Sequence, residues 1–151
     1  MASGKWKIYD SAKEFIGDGT IDLDTHVFKI ALFLSTSNAN TLTNSLLADL
    51  TNQVANAFGY TTGGKTLQNV TWTRSGGTTT FDADNIDWLA SGGSITARFA
   101  VIYDDTATGD PLIAVCLLDT TPADFTALDG QRLVINFNPS GVFNVSGATI
   151  D

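Results

Sequence analysis

Few residues in this chain could carry out chemistry. Histidine, cysteine and glutamate occur once each, as His26, Cys116 and Glu14, against fifteen aspartates. A Ser-His-Asp scheme would have to use His26, because histidine is the side chain suited to proton transfer near neutrality. His26 stands at the start of a strand pattern running to Leu34 and shares parity with Phe28 and Ile30, so capping a core is its expected role. Cys116 lies within the apolar run Leu112 to Leu118, where a thiol behaves as a small hydrophobe.

The aspartates cluster at Asp18, Asp22 and Asp24 and again at Asp82, Asp84 and Asp87. Oxygen-rich loops suit calcium, but the EF-hand order fails here. Ile86 takes the fifth position and Asp87 stands where the loop needs glycine. Turn-forming Asx hydrogen bonds explain such clusters without a metal. Asp104 and Asp105 are adjacent, so on a strand end they point to opposite sides and cannot form a glycosidase pair. Among the tryptophans, Trp72 shares a face with Val70 and Trp88 shares one with Ile86, which marks both as core aromatics. Trp6 lies between Lys5 and Lys7, followed by Ile8 and Tyr9. This stretch joins local positive charge to aromatic surface and is the candidate partner contact; completing the domain's own sheet is its other expected role.

The elements that would position these residues read as strands. Val27–Leu34, Val70–Arg74, Thr78–Phe81, Ile86–Leu89, Ile95–Tyr103, Leu112–Leu118, Leu133–Phe137 and Val142–Val145 alternate in polarity or run apolar. Between them stand Ser75-Gly76-Gly77, Ser91-Gly92-Gly93, Gly109-Asp110-Pro111, Asp129-Gly130 and Pro139-Ser140-Gly141, all turn formers. Gly76-Gly77 predicts a hairpin. The spacing predicts an all-β fold, a β-sandwich or jelly roll of roughly eight strands with one or two short helices. One helix is expected from a capping box at Ser11 and Glu14 with Gly17 as its stop. A second is expected within 45–56, where Leu46, Leu50 and Val54 make one stripe. Phe28, Ile30, Leu32, Trp72, Phe99, Val101, Cys116, Ile135 and Phe137 form the expected core. The chain reads as a single β-rich domain, 1–151, with 1–10 an N-terminal arm or edge strand.

Composition narrows the function classes. Hydrophobic residues at 43% against charged residues at 16% exclude a disordered tail. A net charge of −8 argues against nucleic acid and anionic membrane as partners. The longest apolar run, Leu112 to Leu118, is too short to cross a bilayer, and the opening residues carry no apolar signal core. One cysteine excludes an internal disulfide and fits folding in a reducing compartment.

Several segments resemble small virion proteins of tailed bacteriophages. They are Gly4 to Lys13, Ile16 to Leu23, Ala31 to Ala39, Ala48 to Asn56, Gly59 to Gly64, Val70 to Ser75, Phe81 to Asp84 and Ser91 to Asp105. The likeness covers most of the chain and contains no catalytic motif. It implies a non-enzymatic particle component, a head decoration (cement) protein ahead of a tail or fibre element, assembled in the host cytoplasm and residing in the virion. It also implies the major capsid protein or another virion protein as partner, with homo-oligomer formation, and no cofactor or metal. Two readings from other classes stand beside it: a carbohydrate-binding β-sandwich module, and a small hydrolase using aspartates with His26. The location of the tryptophans separates the first of these, since a sugar binder needs a solvent-facing aromatic.

Overall fold

A computed structural model describes residues 4–121 and 123–147. Strand accounts for 38% of the chain and helix for 8%, which makes the fold all-β, a sandwich of antiparallel sheets. In chain order the elements are β1 (Lys7–Ile8), α1 (Asp10–Asp18), β2 (Phe28–Phe33), β3 (Lys65–Thr66), β4 (Thr71–Ser75), β5 (Thr78–Asp82) and β6 (Ile86–Leu89). There follow β7 (Ile95–Ala97), β8 (Phe99–Asp104), β9 (Leu112–Leu117), β10 (Phe125–Ala127), β11 (Arg132–Ile135) and β12 (Phe143–Ser146). A sheet of order β1-β9-β8-β2-β3 forms one body of strands. Smaller sheets of order β12-β5-β4, β11-β6 and β10-β7 provide the rest.

The strand count exceeds the expected eight because short edge pieces such as β1, β3 and β10 lack the length that alternation needs to be visible. Ile95–Tyr103 also divides in two. At Arg98 the backbone turns from β7, which pairs with β10, into β8, which pairs with β2 and β9. Arg98 donates its backbone N–H to the Phe33 carbonyl at 2.8 Å, and its carbonyl accepts from Leu118 at 3.0 Å. A strand that changes sheets at such a bend is a usual way to join the layers of a sandwich.

β8 is buried along its whole length and β9 along nearly all of it. Both faces of the large sheet are therefore covered, which is why these strands are continuous apolar runs. Phe28 of β2 meets Phe81 of β5 edge to face at 5.3 Å, and Phe81 stacks on Phe143 of β12 at 5.0 Å. Tyr60 accepts the Leu32 backbone N–H at 2.9 Å and packs its ring against Trp88 of β6 at 6.0 Å. These contacts join the sheets through one continuous core. Of the expected core, Phe28, Ile30, Leu32, Phe99, Val101, Cys116, Ile135 and Phe137 are buried. Trp72 is only half-buried. It lies at the rim, 6.4 Å from Phe143, and the β4–β5 hairpin continues past it into solvent. That hairpin turns at Gly76-Gly77 as expected, with Ser75 opposite Thr78.

Both helix expectations need correction. No helix spans 45–56. A single 3₁₀ turn, Leu47–Asp49, stands there, and Leu50 returns to an extended conformation. The Asp49 carboxylate accepts the backbone N–H groups of Ser45 at 3.0 Å and Leu46 at 2.9 Å, which closes the turn locally. Asn52 then takes a positive φ of 56° and Val54 donates to the Leu32 carbonyl at 2.9 Å, laying the segment along β2. Sheet pairing there overrides the apolar stripe. The first helix exists, but it begins at Asp10 after the extended Tyr9, so Ser11 lies inside it and caps nothing. It passes through Gly17 and ends at Gly19, whose φ of 85° supplies the left-handed stop.

Candidate functional site

His26 is the residue on which a Ser-His-Asp scheme depends. Its Nδ1 lies 2.6 Å from Oδ2 of Asp104, a side chain with no solvent exposure. The Asp22 backbone N–H approaches the same nitrogen at 3.4 Å. The other carboxylate oxygen of Asp104 accepts backbone N–H groups from Thr106 at 2.9 Å and Ala107 at 3.1 Å. Asp104 thus holds the turn after β8 and ties it to the residues that lead into β2. A triad would place a hydroxyl on Nε2, and among the described residues no hydrogen bond reaches that atom. Asp105 points the other way, to Lys29 at 3.0 Å, as expected for neighbours on a strand end.

Cys116, Tyr9 and Tyr103 are also engaged within the fold. The Cys116 thiol is buried and donates to the Gly4 carbonyl at 3.1 Å, and burial pushes its pKa up to about 11. Tyr9 is fully buried and donates its hydroxyl to the Ala39 carbonyl at 2.5 Å, with burial raising its phenol well above the ordinary range. Tyr103 donates to the Gly63 carbonyl at 2.7 Å and is raised by burial in the same way.

The two aspartate clusters do not converge. Asp22 accepts from the Thr25 hydroxyl at 2.7 Å and from the Asp24 backbone at 3.0 Å, and these bonds hold its carboxyl below the usual range. Asp18 accepts from the Thr20 backbone at 2.8 Å. In the second cluster, Asp82 caps the Ala83 N–H, Asp84 holds the Asn69 amide at 2.6 Å, and Asp87 pairs with Arg132. No three metal-ligating side chains gather among the described residues.

The N-terminal stretch turns out to be an edge strand. Lys7 pairs with Val115 and Ile8 with Ala114, so β1 closes one end of the large sheet. This corrects part of the expected contact surface. Tyr9 is unavailable to any partner because its ring and hydroxyl are enclosed in this chain's own core. Ile8 is half-buried against that core, and Trp6 is half-buried with its ring 5.8 Å from Phe137. Lys5 and Lys7 remain exposed. Neither forms an ion pair among the described residues, whereas Lys13, Lys29, Arg98 and Arg132 each hold an aspartate. Among the described residues, no strand pairs with the outer edge of β1.

Two grooves flank β1. One, of about 260 Å³, is lined by Lys5, Lys7, Val115 and Leu117 among others. The larger, of about 550 Å³, lies beside Trp6 and is lined by Asn136, Asn138, Ser140 and Asn144. Sequence reasoning missed these asparagines, although Asn136-Phe137-Asn138 alternates as an amide row over a buried phenylalanine. Compared with known proteins, the chain matches no family model, no curated protein and no solved structure.

Proposed function

We propose that the chain is a non-enzymatic structural protein of a tailed-phage virion, a head decoration protein ahead of a tail or fibre component. One observation carries the non-enzymatic part. His26, Cys116, Tyr9 and Asp104 are each engaged in hydrogen bonds that hold the chain's own fold. The virion part is supported by the segments that resemble small phage particle proteins.

In this reading the docking element is the outer edge of β1. An unpaired edge offers backbone donors and acceptors to an extended segment of a neighbour, and it is a feature that proteins ordinarily cover. Lys5 and Lys7 add unneutralised positive charge on an otherwise acidic chain, which steers an acidic segment to this edge. The partner is the major capsid protein or another virion protein, and repeated sites on a shell give homo-oligomeric arrays.

Charge reversal tests the docking edge. The double substitution Lys5→Glu and Lys7→Glu alters exposed side chains without ion-pair partners among the described residues, so folding is expected to persist. Incorporation into particles should fall on the order of tenfold or more, the size of effect that opposing charges produce at a docking surface. Unchanged incorporation of a folded double variant would remove β1 from the proposal.

A further inference from the structure

The groove of about 550 Å³ beside Trp6 is lined in large part by uncharged polar residues. It brings together one tryptophan and the exposed polar residues Asn136, Asn138, Ser140 and Asn144, with Lys5 as the one charged side chain. The side-chain amides of Asn136 and Asn144 have no protein partner among the described residues. Each is free to donate and accept at once, which matches hydroxyl groups that do the same.

The walls of this groove are fixed in place before any ligand arrives. Asn138 accepts the Ser140 N–H through its side chain at 2.8 Å and the Gly141 N–H through its carbonyl at 2.8 Å, which leaves its NH₂ to donate outward. Gly141 has a φ of 96°, and a Cβ there would stand 2.2 Å from Thr80 Cγ2, so the turn is pressed directly onto β5. The backbone N–H of Phe137 is held by Asn85 Oδ1 at 2.8 Å, and the Phe137 ring in turn supports Trp6 at 5.8 Å. The turn backbone, the Asn138 side chain and the Trp6 ring are thus held in advance and lose little entropy on binding.

We propose that this groove binds a neutral oligosaccharide, with the Trp6 ring stacking on a sugar face and Asn136, Asn138 and Asn144 hydrogen-bonding its hydroxyls. An aromatic face carries the apolar C–H side of a sugar ring, and the amides read the polar rim. A phosphate ligand would call for a cluster of cations, which the lining lacks. An apolar ligand would leave the asparagine amides buried without partners. The inference stands apart from the virion reading and is tested on purified protein without particles.

The test is calorimetric titration of the full chain with hexasaccharides of α-1,4-glucose, β-1,4-glucose, mannose and N-acetylglucosamine. Saturable binding by at least one, at millimolar affinity or tighter, is the expected result. The double substitution Asn136→Ala and Asn144→Ala, at exposed amides outside the fold's own hydrogen bonds, should weaken it on the order of tenfold or more. Trp6→Ala should weaken it further and Trp6→Tyr should restore most of it; if Trp6→Ala melts early, the asparagine pair decides. The proposal is overturned if no sugar gives a saturable signal, or if binding is unchanged in the folded asparagine variant.

Discussion

His26 and Asp104 are joined at 2.6 Å across 78 positions of sequence, and the carboxylate is completely enclosed. The contact anchors the approach to β2 against the end of β8, the two strands that pair through the middle of the large sheet. Removing the carboxylate orphans the imidazole and two backbone N–H groups together. Asp104→Ala is therefore expected to cost about 3 kcal/mol, and His26→Ala, which leaves the two backbone bonds in place, about 1–2 kcal/mol. Urea denaturation of the two variants measures this. An equal, negligible effect of both would show that the clamp is not structural, and hydrolytic turnover abolished by His26→Ala would make it catalytic.

Alkaline pH should destabilise the protein through its buried acids. The Cys116 thiol and the Tyr9 and Tyr103 phenols all have raised pKa values because burial disfavours their charged forms. Their contribution to stability is complete below the pKa values of the unfolded chain. It declines as pH rises from about 9, the ordinary thiol value, towards the folded value of about 11 for Cys116. Melting temperature should fall steadily across that interval, and Cys116→Ala should flatten the decline. In the folded protein at pH 8 the thiol should resist alkylation and react only on unfolding. A flat profile between pH 9 and 11 would contradict this.

How much of this was legible in sequence depended on the range of the interactions involved. Leu112–Leu117 and Ile86–Leu89 announced themselves because burial on two faces, or on one, prints directly onto residue order. The segment 45–56 did not, since its fate is set by the Phe33–Gln53 and Leu46–Pro111 bridges to distant strands. The same holds for the candidate sites. His26 could be read as a core cap, but its partner Asp104 could not be chosen among fifteen aspartates without the fold. The stretch from Lys5 to Tyr9 was legible as an edge strand or an arm, and only packing separates the exposed lysines from the enclosed tyrosine. Asn136 and Asn138 share a face by local alternation, but their proximity to Asn144 and Trp6 is one that no local spacing encodes.

Gly64 provides a sharp steric test of the packing between the 61–64 turn and β2. Its φ is 78°, and a Cβ there would stand 1.9 Å from the Ile30 carbonyl oxygen, which is backbone and cannot yield. Gly64→Ala should cost about 3 kcal/mol through strain and displacement of β3. Gly76→Ala has the hairpin conformation but open space around it, so its cost should be about 1 kcal/mol. Thermal melts of the two variants should rank in that order, and the reverse order would place the turn elsewhere.

The N-terminal strand should behave as part of the fold. Deleting residues 2–9 removes β1 and the fully buried Tyr9, so the truncated chain is expected to be unfolded or severely destabilised. Tyr9→Phe, which loses only the hydrogen bond to Ala39, should cost about 1 kcal/mol. Circular dichroism on both settles the matter, and a stable, fully folded deletion variant would show that β1 is an appended arm.

The central claim, that this chain is a component of a phage virion, is tested most directly by mass spectrometry of purified tailed-phage particles produced from the genome that encodes it. The account predicts that the chain is present at a fixed stoichiometry to the major capsid protein and stays with the particles through density-gradient purification. Its absence from intact particles, with the chain recovered only in the host lysate, would contradict the account.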